Sequence, residues 1–522
     1  MTICLHLLFT LVLFDSVNSF VPTQVTAGSP PATVVCHNEA LTDASAIVEY
    51  IVDEPRGLSL GAWMPLGSAS SLTGLGPTQI RVCGIDLAVW HKPLQKNAKR
   101  GAVATEWSAL VDACPHRLAP LSQGRVDPES GCIECPYHGW SFDTDGSLQT
   151  IPQLDEGRTI KAATGDAGRA TSLPVHAAGD LLFVFLPTEI TGESWPISHL
   201  PEHHYSYLQE QMDGGATYYA RDFPYSFDFL LENLSDMAHI PIAHNALLGN
   251  RKNGSPMDMK VTASNFTHYE CEFKERFGKK REGVLTFERP AFSHVRRTDN
   301  LNVPQVHFFA SPIDEGRSRV MMKEFGVKFI PKWLLHLVMH LSSNPVTSGD
   351  IWLHDAERSA RVNSADSKPR SVAVGAGRAG RKTTYGLNYI VASRSDVGTT
   401  SFRKWWSTYG FADAPPNTFG PASESSLPKY ALSSAEQNDP WSRHAKNCIV
   451  CRRALSRMRV LQKVVIAGAS IGAIMLQRRP PIAMASILLG ISAHDLLGKL
   501  ATTIEGNTNR AEIRNRSYSA TH

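Results

Sequence analysis

Cys114-Pro115-His116 and Cys135-Pro136-Tyr137-His138-Gly139-Trp140 are two short loops with eighteen residues between their histidine and cysteine ends, and each offers one thiol and one imidazole. Two thiolates on one iron and two imidazoles on the other is the ligand set of a Rieske [2Fe–2S] centre, an electron relay of moderate potential. The competing assignment is a zinc site of Cys₂His₂ type. Zinc motifs rarely set Cys and His two apart within one loop, so C-x-H followed by C-x₂-H favours iron–sulfur. Cys132 stands three before Cys135 and imitates a C-x₂-C, but its pairing would leave out the C-x-H half; it reads as a small core residue.

A relay implies something to reduce. The segment Asp236-Met237-Ala238-His239-Ile240-Pro241-Ile242-Ala243-His244 holds D-x₂-H-x₄-H. Two histidines and a carboxylate make the facial triad that leaves positions open on Fe(II). On an unbroken helix, residues five apart point roughly 140° from each other. Pro241 is expected to bend the helix and swing His244 back towards His239. Asp236, three before His239, is placed to accept a hydrogen bond from a ligand histidine. Taken alone, two histidines on an apolar helix read as satisfied core residues; after a Rieske pattern they read as iron ligands.

With these residues in view, the chain resembles the Rieske-type non-haem iron oxygenases. It is most similar to their plastid branch, which includes pheophorbide a oxygenase, chlorophyllide a oxygenase and the inner-envelope Rieske protein. The resemblance is carried by Asp112 to Ser122, by Tyr137 to Trp140, by Asn233-Leu234 leading into Asp236, His239 and His244, and by the H-x₃-C-x₂-C element His444 to Cys451. It spans roughly residues 55 to 500 and is more specific for the oxygenase family than for the substrate.

The resemblance implies an α+β chain: an N-terminal all-β Rieske domain, a C-terminal antiparallel-sheet catalytic domain of helix-grip type, and a short membrane-anchoring helical hairpin. It implies a [2Fe–2S] cluster on Cys114, His116, Cys135 and His138, and a mononuclear Fe(II) on His239, His244 and a downstream aspartate. That aspartate is expected at Asp350, with Asp355 as the fallback; without the resemblance, Gly349-Asp350 before an apolar run reads as a helix N-cap. It further implies reduced ferredoxin as electron donor, a homotrimer, and electron transfer between subunits through a carboxylate matching Asp236. The expected activity is oxygenation of a hydrophobic, chlorophyll-derived tetrapyrrole in the manner of pheophorbide a oxygenase. Chlorophyllide oxygenation and bilin hydroxylation are the alternatives within the enzyme class. A membrane-tethered plastid redox sensor or import component is the non-enzyme alternative, to which a preserved histidine pair would be of no use.

Composition agrees. The 522 residues exceed what one core comfortably organises. A net charge of +3 argues against nucleic acid as a partner. Nine cysteines, some claimed by iron, do not make a disulfide scaffold.

Residues 1–45 read as a bipartite signal and transit presequence, from the apolar run Leu5–Leu13 and the acid-free, hydroxyl-bearing stretch Phe20–His37, and point to a plastid membrane, envelope or thylakoid. The Rieske domain is expected over 55–190, with strands at 79–83, 87–90 and 181–186. Cys83 is read as a small hydrophobe within the first of these strands. Trp140 is read as packing beneath the cluster, and Arg117 and Pro120 as holding the first loop against the second. The catalytic domain is expected over 197–420, with strands at 286–288, 305–309 and 318–322 and a helix at 333–341 that carries His336 and His340 as pocket-facing residues. Ser364 to Lys382 reads as a flexible loop.

Residues 421–459 form a linker with the H-x₃-C-x₂-C element, 460–498 an apolar hairpin, and 499–522 a polar tail. The apolar runs Val464–Leu476 and Ile482–Ala493 are each shorter than the roughly 20 residues of a full span, so a tilted or re-entrant hairpin fits them better. Cys448 and Cys451 allow three readings: a redox-active dithiol, metal binding with His444, or an inert pair.

Overall fold

The computed structural model describes residues 62–72, 76–91, 107–154, 168–186, most of 218–323, 337–351, 353, 393–409 and 439–506. The presequence, Asp355, His336, the 364–382 segment and the polar tail beyond 506 lie outside the described residues.

The N-terminal half is built of β1 (Ala62–Ser68), β2 (Thr78–Val82), β3 (Ile85–His91), β4 (Trp107–Val111), β5 (Arg125–Val126), β6 (Ile133–Glu134), β7 (Ser141–Phe142), β8 (Leu148–Thr150), β9 (Ser172–Leu173), β10 (Val175–Ala178) and β11 (Leu181–Leu186). They form three antiparallel sheets, β1-β11-β10, β2-β3-β4-β9 and β5-β6-β7-β8. Strand periodicity explains the nearly unbroken apolar run in β3. Leu87 and Val89 face the large central core, while Ala88 and Trp90 face a second core with Leu121, Ile133 and Phe142 beneath the two Cys-His loops.

Cys83 does not continue β2. It shares a two-residue hairpin turn with Gly84, at φ values of 50° and 79°, between the paired Val82 and Ile85. Positive φ at both positions matches the twist of the flanking strands. The amides of Cys83 and Gly84 then donate to Pro312 O (2.9 Å) and Ile313 O (2.8 Å), so the turn is docked on the catalytic sheet and the thiol is buried there.

That sheet has seven antiparallel strands, β12 (Tyr218–Phe223), β13 (Met257–Ser264), β14 (His268–Glu275), β15 (Glu282–Glu288), β16 (Phe292–Arg297), β17 (Val306–Asp314) and β18 (Arg317–Lys323), in the order β12-β18-β17-β16-β15-β14-β13. Around it lie α1 (Phe227–Ser235), α2 (Ile240–Ala243), a helix over 337–351 (α3) and α4 (Val397–Tyr409). Phe227, Leu230 and Leu231 of α1 and Phe402 and Trp405 of α4 are buried in the same core as Met64 and Leu66 of β1, so apolar packing is continuous between the two halves. Arg403 of α4 ties α1 down through Asp228 (2.6 Å) and Glu232. A buried pair of this kind costs about 3–5 kcal/mol when one partner is removed.

The chain from Phe227 to His244 is two helices rather than one bent at proline. α1 ends at Ser235 with Asp236 as its cap, the four residues Asp236 to His239 are non-helical, and His239 and His244 cap the two ends of the short α2. Pro241 lies in the first turn of α2, where its missing N–H has no intrahelical partner to lose.

At the C-terminus, α5 (Ile449–Met475) and α6 (Pro480–Glu505) make a helical hairpin longer than the apolar runs suggest. The 27 and 26 residues span about 40 Å each at about 1.5 Å per residue, against roughly 30 Å of hydrocarbon. Both are long and apolar enough to cross a membrane. Their outer surfaces expose Ile471, Ile474, Met475, Leu488 and Leu489. Between them the helices meet through small residues: a Cβ at Gly490 would collide with Ala469, and one at Gly472 would come within 2.8 Å of Ser486 Oγ. The root of the hairpin, Leu455 and Met458 against Ala501 and Ile504, is packed on the globular body through Leu337 and Leu341.

Candidate metal centres

The two Cys-His loops are built alike. In the first, between β4 and β5, Cys114 N donates to Ala119 O (2.9 Å) and Leu118 N to Cys114 O (2.7 Å). In the second, between β6 and β7, Cys135 N donates to Trp140 O (2.8 Å) and Gly139 N to Cys135 O (3.1 Å). The fourth position after each cysteine is left-handed, with φ 57° at Leu118 and 73° at Gly139. This repeated turn buries both cysteines and leaves His116 at the surface, with its ring centroid 4.7 Å from that of the half-buried His138. Burial pushes the Cys114 thiol up to about 11, the cost a bound cation would remove. The donor set, thiols inward and imidazoles outward, fits a [2Fe–2S] cluster with its histidine-bound iron towards solvent. Trp140 is not simply beneath the site: it stacks on the His116 ring at 4.5 Å and 5° while packing on the core below. Arg117 and Pro120 are exposed. The second loop is tied instead to the segment after β8, through Gln153 Nε2 donating to His138 O (2.9 Å). Cys132 is buried in the core beside Ile133.

His239, His244 and Asp350 converge. His239 Nε2 lies 3.2 Å from His244 Nε2, and Asp350 Oδ1 lies 3.3 Å from His244 Nε2 and 3.7 Å from His239 Nε2. Bonds of about 2.1 Å at right angles would hold donors about 3 Å apart. Among the described residues, buried Asp350 Oδ1 has no hydrogen-bond partner, which a cation would supply. Burial lowers the His244 imidazole below its ordinary value, with Asp350 opposing and His239 adding to the fall, so a neutral ring is on hand for a metal. These residues fit a mononuclear iron.

Asp350 is not an N-cap. It sits inside α3, which the buried Arg221 of β12 holds by donating to Asn344 O (2.7 Å), Thr347 Oγ1 (2.6 Å) and Ser348 Oγ (2.9 Å). Gly349 lets the helix pass close: a Cβ there would be 3.4 Å from His244 Nδ1. Asp236 does not accept from the His239 ring, whose Nδ1 is 3.8 Å away, beyond hydrogen-bond range. Its Oδ1 accepts from the backbone of Ala238 (2.8 Å) and His239 (3.3 Å), and the carboxylate remains partly exposed.

Tyr225, which no motif singles out, is buried near this centre; burial and the Asp350 charge hold its phenol protonated. His340 does not face the pocket. Its Nδ1 is 3.0 Å from His444 Nε2, in a second cluster with Cys448 and Cys451.

Residues 62–166 match the Rieske [2Fe-2S] domain model, which implies the iron–sulfur cluster. The chain is 29% identical over 434 residues to the chloroplastic pheophorbide a oxygenase of Oryza sativa subsp. japonica, covering 78% of this chain and 75% of that one. It is 26% identical to the protochlorophyllide-dependent translocon component 52 of Arabidopsis thaliana, also chloroplastic, over 77% of this chain and 74% of that one. Among solved structures, dicamba monooxygenase bound to dicamba aligns with 68% of this chain and 98% of its own, at 16% identity and a TM-score of 0.46.

Proposed function

We infer that this chain, a Rieske-type oxygenase of the plastid branch, oxygenates a flat, apolar tetrapyrrole derived from chlorophyll, as its relative named pheophorbide a oxygenase does by name. The observation that carries the oxygenase reading is the convergence of His239, His244 and Asp350 in a chain that also holds the paired Cys-His loops. A pure electron relay has no use for such a triad.

Cys114 and Cys135 would hold one iron of the cluster and His116 and His138 the other, with His239, His244 and Asp350 holding the mononuclear iron. When bound, the cluster supplies single electrons and the mononuclear iron supplies dioxygen activation. The protein's part is placement. With only His239, His244 and Asp350 as protein ligands, a bound iron would keep room for dioxygen and substrate. Burial of His244 and Asp350 excludes water from the near side. Burial and the Asp350 charge keep the Tyr225 phenol protonated. Asp236, partly exposed after α1, has its Oδ1 held by two backbone amides, and in a homotrimer it would accept an imidazole N–H from the Rieske loop of a neighbouring copy. The outward-facing His116 suits both that contact and the approach of ferredoxin as donor. The α5–α6 hairpin would hold the enzyme at a plastid membrane, where a hydrophobic substrate is delivered.

The test is single turnover of the anaerobically reconstituted full chain with pheophorbide a or chlorophyllide a under dioxygen. Oxygenated product from pheophorbide supports the reading. Product only from chlorophyllide reassigns the substrate, and a reduced cluster that reoxidises without product from either overturns the tetrapyrrole assignment.

A further inference from the structure

His340, His444, Cys448 and Cys451 come from three separate places: α3, the turn before the C-x₂-C element, and the start of α5. All four are at most 5% exposed, and their donor atoms lie within 4.8 Å of one another. His340 Nδ1 is 3.0 Å from His444 Nε2, 3.3 Å from Cys451 Sγ and 3.5 Å from Cys448 Sγ; His444 Nε2 is 3.3 Å from Cys451 Sγ. A tetrahedral zinc ion with bonds of about 2.0 Å to nitrogen and about 2.3 Å to sulfur sets nitrogens about 3.3 Å apart and nitrogen from sulfur about 3.5 Å. The observed separations sit close to those edges.

The surroundings support the donor orientation. His444 Nδ1 is 2.5 Å from Ala220 O, and because a carbonyl only accepts, that nitrogen carries the proton. In the neutral ring, Nε2 is then the lone-pair nitrogen, aimed into the cluster, with the backbone carbonyl holding the ring as metal-bound histidines are commonly held. Cys448 Sγ lies 3.8 Å from Ser71 Oγ, a hydroxyl able to donate to a thiolate. A hydrogen bond between the imidazoles would satisfy that pair but leave two thiols in the core. A redox dithiol needs at least one accessible sulfur, and here both are 1% exposed and unbonded to each other.

We propose that His340, His444, Cys448 and Cys451 form a closed Cys₂His₂ site for zinc, distinct from both iron centres. Binding releases the two thiol protons to solvent and leaves metal and ligands without redox change. Four protein ligands leave no open position, so the role is structural. The ion would join α3, which presents Asp350 ten residues after His340, to strand β12 and to the root of the hairpin. The membrane segment and the mononuclear centre would thereby share one fixed element.

The experiment is elemental analysis and zinc-edge X-ray absorption on the full chain in detergent, purified anaerobically through a tag without histidines. The expected result is about one zinc per chain beside the iron, in a shell of two sulfurs at about 2.3 Å and two nitrogens at about 2.0 Å. His340→Ala and Cys451→Ser should lose zinc and keep the Rieske EPR signal. If neither variant folds, the wild-type absorption spectrum still decides. Substoichiometric zinc, zinc in a shell without sulfur, or a Cys448–Cys451 disulfide found by mass spectrometry in the unreduced protein would each overturn the proposal.

Discussion

His244 Nε2 and Asp350 Oδ1 lie 3.3 Å apart, the one at the end of a single-turn helix, the other on α3. Neither atom belongs to a motif that contains the other, and the contact exists because Arg221 holds α3 against β12. Replacing Asp350 with Asn keeps the shape and removes the negative charge. Iron analysis should fall from about three towards about two per chain, with the Rieske signal retained. Full iron content in Asp350→Asn would remove this residue from the triad.

Asp236 makes its backbone bonds through Oδ1, which an asparagine oxygen can reproduce. Asp236→Asn should therefore fold and bind both metals while turnover drops by at least about 100-fold, the scale on which a lost proton-bridging group is felt. Rapid-reaction absorbance should show the cluster reduced normally and reoxidised slowly. Normal reoxidation would place the electron path elsewhere.

Leu118 and Gly139 occupy the same left-handed position in the two cluster loops, and only one of them is glycine. A side chain in that region costs about 1–2 kcal/mol. Leu118→Gly should raise the thermal stability of the Rieske half. Gly139→Ala should lower it and promote cluster loss, since the new Cβ would also lie 3.0 Å from Pro152 Cγ. Visible circular dichroism of the cluster during heating separates the two.

His294 and His307 face each other across β16 and β17, and burial depresses them to about 4 and about 3. The unfolded chain binds protons to both near 6.5, so below that pH it holds more protons than the folded state. Stability should be level above about pH 7 and decline as pH falls from 6.5 through about 4 and about 3, by a few kcal/mol in order of magnitude. His307→Gln should flatten the decline in denaturant titrations run against pH.

Leu489 is 71% exposed on the outer surface of α6. An arginine near the middle of a spanning helix costs about 3 kcal/mol of insertion. Leu489→Arg should shift the protein from the membrane to the soluble fraction in flotation assays, with the Rieske spectrum unchanged; unaltered partition would place that surface outside the bilayer.

The Cys-His loops were legible in the sequence because each holds its donors within a few residues, where turn geometry alone brings them together. The α+β architecture was implied by the resemblance those loops carry, and the strands β3, β15, β17 and β18 were marked by short strand-forming runs, a local property. What the sequence could not convey depends on packing between distant segments. The break before α2, rather than a kink at Pro241, follows from Asp236 capping α1. Without the resemblance Asp350 reads as a cap, until α3 is seen to extend back to residue 337. The hairpin outgrows its apolar runs because its root is packed on the globular body rather than immersed in lipid. His340 belongs with His444, Cys448 and Cys451 only because α3 lies beside the start of α5. Ligand type is written in short motifs; which ligands meet is decided by the helix and sheet packing that carries them through space.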